Sequence, residues 1–197
     1  MKIGLFGGTF NPVHTGHLII AEMVRGHYNL DKVIFIPAKI QPQKGTKGVA
    51  GADHRINMIN YAIKGNPDFS SSDIELKRVG PSYTIDTLTI LKKNFGDAAS
   101  FYFIIGADAF AEIDLWKNYR EIACLCRLIV VSREGSAVDP GKLKLFEERI
   151  SEMKIKGIGI SSTDIRARLK AGRTVRYLLP AKVMEYIVKN GLYGACR

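Results

Sequence analysis

Gly7-Gly8-Thr9-Phe10-Asn11-Pro12-Val13-His14-Thr15-Gly16-His17 is the stretch that decides how this chain folds. The apolar residues Ile3, Leu5 and Phe6 precede it and read as a short buried strand. Leu18, Ile19, Ile20, Ala21, Met23 and Val24 follow with helical spacing. A strand, a glycine-rich turn and a helix aim backbone N–H groups and the positive end of a helix dipole at an anion. His14 and His17 are three apart, so both can face one side of a helix that begins near Thr15. Two of the chain's four histidines therefore sit where two imidazoles could donate to phosphate oxygens. The spacing is neither the dinucleotide pattern G-x-G-x-x-G nor the P-loop G-x-x-x-x-G-K-[ST], which argues against a dehydrogenase and a Walker-type ATPase.

Composition narrows the class. The 197 residues suffice for one domain with a sizeable core, and 46% hydrophobic with 24% charged residues is ordinary for a globular protein. No apolar run approaches a membrane span, and no signal-peptide pattern opens the chain, so the expectation is a cytoplasmic protein without a membrane partner. Cys124, Cys126 and Cys196 lack a partner cluster, and Cys124 and Cys126 read as small buried hydrophobes rather than metal ligands. The 29 Lys and Arg against 19 Asp and Glu give a net charge of +10. These bases are scattered and no aromatic RNA-binding signature accompanies them. Small anionic substrates are favoured over nucleic acid.

Strand candidates recur at 2–6, 32–36, 101–105, 128–131 and, more weakly, 157–160. Helical patterns lie between them, with Asp53 and Ser82 as capping candidates. This alternation predicts an α/β fold: a Rossmann-like, doubly wound parallel sheet with ligands beyond the carboxyl ends of its strands. A small helical C-terminal subdomain, about 161–197, is expected to pack on that sheet as part of a single 1–197 domain. Ser161 and Asp164 have capping-box spacing there, and Pro180 starts a final amphipathic helix.

Five further segments could carry chemistry. The 37–52 loop holds Lys39, Lys44 and Lys47 and no acid before residue 52, so it suits either a solvated loop or a phosphate-gripping lid. Tyr83 and Thr84 stand at a helix start whose free N–H groups could hold a carboxylate or amide. Gly106 and Asp108 follow a strongly apolar strand. Asp108 suits either an N-cap or a ribose-binding acid, and Trp116 suits core packing or stacking on a heteroaromatic ring. Arg133, after the next strand, is a phosphate-binding candidate. Ser161, Ser162, Thr163 and Arg166 combine hydroxyls, a helix start and a guanidinium, which together form an anion site.

The segment from Gly7 to His17 resembles the Gly-Gly-Thr-Phe-(Asp/Asn)-Pro-x-His-x-Gly-His signature of nucleotidylyltransferases, in the form of bacterial nicotinate mononucleotide adenylyltransferases. Pro81-Ser82-Tyr83-Thr84-Ile85-Asp86-Thr87, Gly106-Ala107-Asp108 with Trp116, and Ser161-Ser162-Thr163-Asp164-Ile165-Arg166 are also similar to that family, so the likeness runs nearly end to end. It implies transfer of the adenylyl group of ATP to nicotinate mononucleotide, with His14, His17 and Arg166 as catalytic groups. Gly7, Gly8, Thr9, Phe10, Gly106, Asp108, Ser161, Ser162 and Thr163 would join them in binding ATP. Thr9, Lys44, Tyr83, Thr84, Trp116 and Arg133 would bind the mononucleotide. Where the family often has histidine this chain has Gln43, while Lys44 matches. The resemblance also implies Mg²⁺ carried by the ATP phosphates, with no dedicated protein metal site, and allows a homo-oligomer.

The residues alone leave other readings open. A pantetheine-phosphate adenylyltransferase or a cytidylyltransferase would share the histidine motif. So would a class I aminoacyl-tRNA synthetase, although the chain is too short for one and lacks a lysine-rich loop. A non-enzymatic nucleotide- or RNA-binding module would explain the basic balance.

Overall fold

The computed structural model describes residues 1–42, 45–133 and 138–195. Among them, six strands form one sheet: β1 (Lys2–Gly8), β2 (Lys32–Pro37), β3 (Phe69–Ser71), β4 (Ser100–Gly106), β5 (Arg127–Arg133) and β6 (Ile150–Ile155). The helices are α1 (Thr15–Tyr28), α2 (Ala52–Ile63), α3 (Ile74–Lys77), α4 (Thr84–Phe95), α5 (Ala107–Phe110), α6 (Tyr119–Leu125), α7 (Pro140–Lys144), α8 (Ser162–Lys170) and α9 (Ala181–Lys189). Every strand pair is parallel and the order is β3-β2-β1-β4-β5-β6. The fold is therefore Rossmann-like, and the order of the strands reverses between β1 and β4. Loops leaving those two strands diverge to opposite sides and open a crevice at their carboxyl ends.

Parallel strands are buried on both faces, so they run apolar throughout, and alternate residues serve opposite sides. Phe6, Val33, Phe35, Ile104, Ile129 and Val131 face one layer, built from Ala21 and Val24 of α1, Met58 and Ile59 of α2, Ile165 and Leu169 of α8, and Val183 and Ile187 of α9. Ile3, Leu5, Ile34, Ile36, Phe101, Phe103, Ile105, Leu128 and Val130 face the other, with Ile85, Leu88 and Leu91 of α4 and Ile122 of α6. Each such side chain contributes about 1.5–3 kcal/mol when fully buried. The helices after residue 161 thus close one face of the sheet. Gly4 permits close packing within β1: a Cβ there would lie 2.9 Å from Leu30 Cδ1 and 3.1 Å from Val33 Cγ2.

Several local expectations are corrected. The sixth strand lies at Ile150–Ile155, not at 157–160. Gly157 has φ +77°, which ends the strand, and β6 mixes Ser151, Glu152 and Lys154 with its apolar residues as an edge strand can. Sequence pattern also misses β3, a three-residue edge strand. Gly51, not Asp53, occupies the N-cap position of α2, and Asp53 sits in its first turn. Tyr83 takes the N-cap position of α4, while the Ser82 hydroxyl accepts from the Lys39 amide at 2.8 Å. Gly106 occupies the N-cap position of α5, with Asp108 in its first turn. Cys126 is buried as expected, but Cys124 is exposed, and Cys196 lies outside the described residues. Among the described residues no helix is long and apolar enough to cross a membrane.

Candidate functional site

The turn after β1 is shaped by Phe10, whose φ of +48° lies in the left-handed region. That conformation costs roughly 1–2 kcal/mol for a residue with a Cβ. Burial of the Phe10 ring offsets it: the side chain is 2% exposed and packs edge-on against Phe6 and His17 at centroid distances of 5.6 and 5.0 Å. The Phe10 ring is therefore turned into the core and, contrary to its expected place in the site, lines neither of the site's two cavities.

His14 caps α1 and His17 lies in its first turn, with their rings stacked at 3.6 Å and 25°. The two imidazoles face one side, as their spacing predicts. The His14 amide donates to His17 Nδ1 at 3.2 Å. A neutral imidazole that accepts at Nδ1 carries its hydrogen on Nε2, so His17 is set as an Nε2–H donor. Gly16 makes room for the pair, since a Cβ there would stand 3.1 Å from both His14 Nδ1 and Ile158 Cγ2. The Thr15 amide is already occupied by the Leu178 carbonyl at 2.9 Å.

Helix α8 docks on this turn from the far end of the chain. Ser161 caps it by accepting from the Asp164 amide at 3.1 Å. The Ser162 hydroxyl donates to the Pro12 carbonyl at 2.9 Å, and Arg166 Nη1 donates to the Asn11 carbonyl at 2.8 Å. Ser161, Ser162, His14, His17, Gly106 and Asp108 then line one cavity of about 570 Å³, walled by Phe6, Ile104, Val131, Ile155, Ile158 and Ile160. Thr163 and Arg166 do not line it: Thr163 is exposed, and the guanidinium is held by Asn11 and by Thr163 Oγ1 at 3.3 Å.

A second cavity of about 250 Å³ lies on the other side of the β4 end and shares Ile104 and Gly106 with the first. Thr9, Tyr83, Thr84 and Trp116 line it as expected, joined by Gln41, Glu75, Ser82 and Lys117. Gly7 and Gly8 also border this smaller space rather than the larger. Trp116 is held edge-on against Phe103 at 6.1 Å, so its ring packs on one side and lines the cavity on the other. Lys117 Nζ stands 5.0 Å over the Tyr83 ring and pairs with Asp86 at 2.9 Å. Gln43 and Lys44 lie outside the described residues, as does the side chain of Arg133 at the end of β5.

Two supports behind the site escaped sequence reasoning. Arg55, 2% exposed, donates to the carbonyls of Thr9, Ala38 and Ala50 at 2.9, 2.7 and 2.9 Å. It thereby ties the turn after β1 to both ends of the 38–50 loop. Burial holds its guanidinium below the usual range, and the nearby Tyr193 opposes that shift. The signal was available: Arg55 shares the i, i+3, i+4 stripe of α2 with Met58 and Ile59. Asn11 is the second support. Its Oδ1 accepts from the Ala50 amide at 3.0 Å and the Tyr193 hydroxyl at 2.7 Å, and its Nδ2 donates to the Gly48 carbonyl at 3.0 Å. Burial pushes the Tyr193 hydroxyl well above the ordinary tyrosine range, which keeps it a donor. Nothing local in the sequence links residue 193 to residue 11, so only the fold reveals this bond.

Comparison with known proteins fits this geometry. Residues 5–168 match the cytidylyltransferase-like family model. A Thermoanaerobacter protein named "Probable nicotinate-nucleotide adenylyltransferase" is 43% identical, covering 98% of this chain and 94% of its own length. A Roseiflexus protein of the same name is 44% identical over 97% of both chains. The Plasmodium falciparum nicotinic acid mononucleotide adenylyltransferase complexed with NaAD shares the fold, with a TM-score of 0.83 at 20% identity over 99% of this chain and 98% of that one. By its matched family model and by these near full-length relatives, the chain belongs to the nicotinate-nucleotide adenylyltransferase family of cytidylyltransferase-like proteins.

Proposed function

We propose that this chain transfers the adenylyl group of ATP to nicotinate mononucleotide, giving nicotinate adenine dinucleotide and pyrophosphate, as a cytoplasmic step of NAD synthesis. One observation carries the reading. Two cavities share the wall formed by Ile104 and Gly106 at the switch point of the sheet, with paired imidazoles on one and an indole on the other. ATP takes the larger space and the pyridine mononucleotide the smaller, so their phosphates meet beside His14 and His17.

The mononucleotide phosphate attacks the α-phosphorus of ATP in line and pyrophosphate leaves. That phosphate is already an adequate nucleophile, so neither a general base nor a covalent intermediate is required. Catalysis consists of alignment and of donors aimed at the charge that builds on the phosphoryl oxygens. His17 donates through Nε2, and His14 stacks beside it. The hydroxyls of Ser161 and Ser162 line the polyphosphate side, while Arg166 fastens α8 to the turn and brings its positive charge close. Asp108 on the rim suits ribose hydroxyls, and Trp116 supplies the stacking face for the pyridine.

Among the described residues no group of three or more His, Cys, Asp or Glu side chains could cage a metal. The oxygens of Asp108, Ser161 and Ser162 on this cavity would suit the waters of a Mg²⁺ carried on the ATP phosphates, where it would neutralise phosphate charge. The test is pyrophosphate release from ATP with nicotinate mononucleotide, nicotinamide mononucleotide or phosphopantetheine as acceptor. Release driven best by nicotinate mononucleotide supports the reading. Release driven best by phosphopantetheine, or RNA binding without turnover of ATP, overturns it.

A further inference from the structure

The smaller cavity contains a carboxylate that the reaction does not call for. Glu75, on the short helix α3, lines it and is 9% exposed. The Thr87 hydroxyl donates to Glu75 Oε1 at 2.7 Å. Arg78 Nη1 donates to that same Thr87 oxygen at 3.1 Å, and Arg78 Nη2 donates to the Tyr83 carbonyl at 3.2 Å. On the other side, the Lys39 amide donates to the Ser82 hydroxyl at 2.8 Å, and Ser82 borders the same cavity as Glu75. The Ser82 amide donates to the Ile40 carbonyl, and Lys39 Nζ donates to the Arg78 carbonyl, both at 2.9 Å.

One chain of donors runs to this acceptor. Arg78 feeds Thr87, and the Thr87 hydroxyl ends on Glu75, with the Tyr83 carbonyl a longer second acceptor at 3.3 Å. A hydroxyl whose oxygen already accepts gives its own proton elsewhere, so the carboxylate sets the direction of the shorter link. What the links hold is the segment at 82–84, whose Tyr83 and Thr84 face the cavity at the start of α4. Burial raises the carboxyl of Glu75 above the usual range, and the neighbouring Thr87 and Ser82 hydroxyls and the charge of Arg78 oppose that rise.

We infer that Glu75 is a positioning residue for the mononucleotide: through Thr87 and Arg78, which both bond the Tyr83 carbonyl, it fixes the segment at 82–84 that receives the pyridine ring and its substituent. This rests on the function proposed above. It goes beyond that reading because it assigns affinity for one substrate to a residue that acts through its neighbours and takes no part in phosphoryl transfer.

The experiment compares Glu75→Gln, Thr87→Val and Thr87→Ser with the unaltered chain. It measures KM for nicotinate mononucleotide, KM for ATP, kcat and the melting temperature. Glu75→Gln replaces one acceptor by a donor and should raise KM for the mononucleotide about tenfold, the weight of one hydrogen bond to a charged group. Its KM for ATP should stay within about twofold, because the donors around ATP are untouched. Thr87→Val should act in the same direction, and Thr87→Ser, which keeps the hydroxyl, should restore the mononucleotide KM. If Glu75→Gln does not fold, the two Thr87 variants decide the matter. An unchanged mononucleotide KM in the folded variants, equal losses for both substrates, or Thr87→Ser matching Thr87→Val overturns the inference while the proposed function stands. An unaltered chain that releases no pyrophosphate with nicotinate mononucleotide overturns both.

Discussion

The two cavities that meet at Ile104 and Gly106 are built by different means. The larger takes its polar side chains from three places: the turn that carries His14 and His17, the cap of α8 at Ser161 and Ser162, and Asp108 just after β4. The smaller is assembled from short pieces of more segments: the end of β1 up to Thr9, Gln41 and Pro42, Glu75, the run from Ser82 to Thr84, and the run from Leu115 to Lys117. Phosphate is recognised by local backbone geometry, so its site can be written in a few adjacent residues. A flat ring needs walls on several sides, which only the tertiary fold can bring together.

Substituting a donor on the phosphate side should break the comparison most severely. His17→Ala should lower kcat by about 10²–10³ with the fold retained, the scale on which one preorganised donor acts. Steady-state turnover together with circular dichroism checks this. Trp116→Ala should raise KM for nicotinate mononucleotide about tenfold and leave KM for ATP near its original value, because stacking is worth roughly 1–3 kcal/mol per ring. A KM for ATP that rises equally would erase the distinction between the cavities. Ser161→Ala removes the cap of α8 and should cost about 0.5–2 kcal/mol of stability, read by denaturant unfolding.

Glu75 supplies a pH test on the ring side. Its carboxyl is raised in the fold, chiefly by burial. A group raised on folding adds stability that is complete below its unfolded pKa and fades as pH climbs through the folded one. The unaltered chain should therefore lose stability relative to Glu75→Gln as pH rises above the ordinary carboxylate range, as melting temperatures at a series of pH values would show. The smallest effect concerns thiols. Cys124 is exposed, whereas burial pushes the Cys126 thiol up to about 12, so a thiol reagent should label Cys124 and leave Cys126 unmodified in the native chain. Fragment mass spectrometry would locate the label.

The same contrast explains what could be read from the sequence. Four of the strands and the parallel architecture were legible because buried strands and amphipathic helices leave strong periodic signals. β3 and β6 were missed or misplaced because edge strands carry short or mixed patterns. His14, His17, Ser161 and Ser162 were legible because their chemistry depends on adjacent backbone. Arg166 was recognised as an anion-binding candidate, but the structure turns its guanidinium toward the Asn11 carbonyl, 155 residues away in sequence. Glu75 and the bond between Tyr193 and Asn11 were not legible, and Arg55 left only its place on the apolar stripe of α2. Each acts through partners that only the fold brings near, and a buried charge looks like a surface charge until its surroundings are known.

A crystal structure of this chain with nicotinate adenine dinucleotide bound would test the central claim most directly. The expected result has the adenine in the cavity lined by Asp108 and Ser161, the pyridine against Trp116, and the phosphates between them beside His17. A dinucleotide lying wholly within one cavity, or with its phosphates remote from both histidines, would contradict the claim.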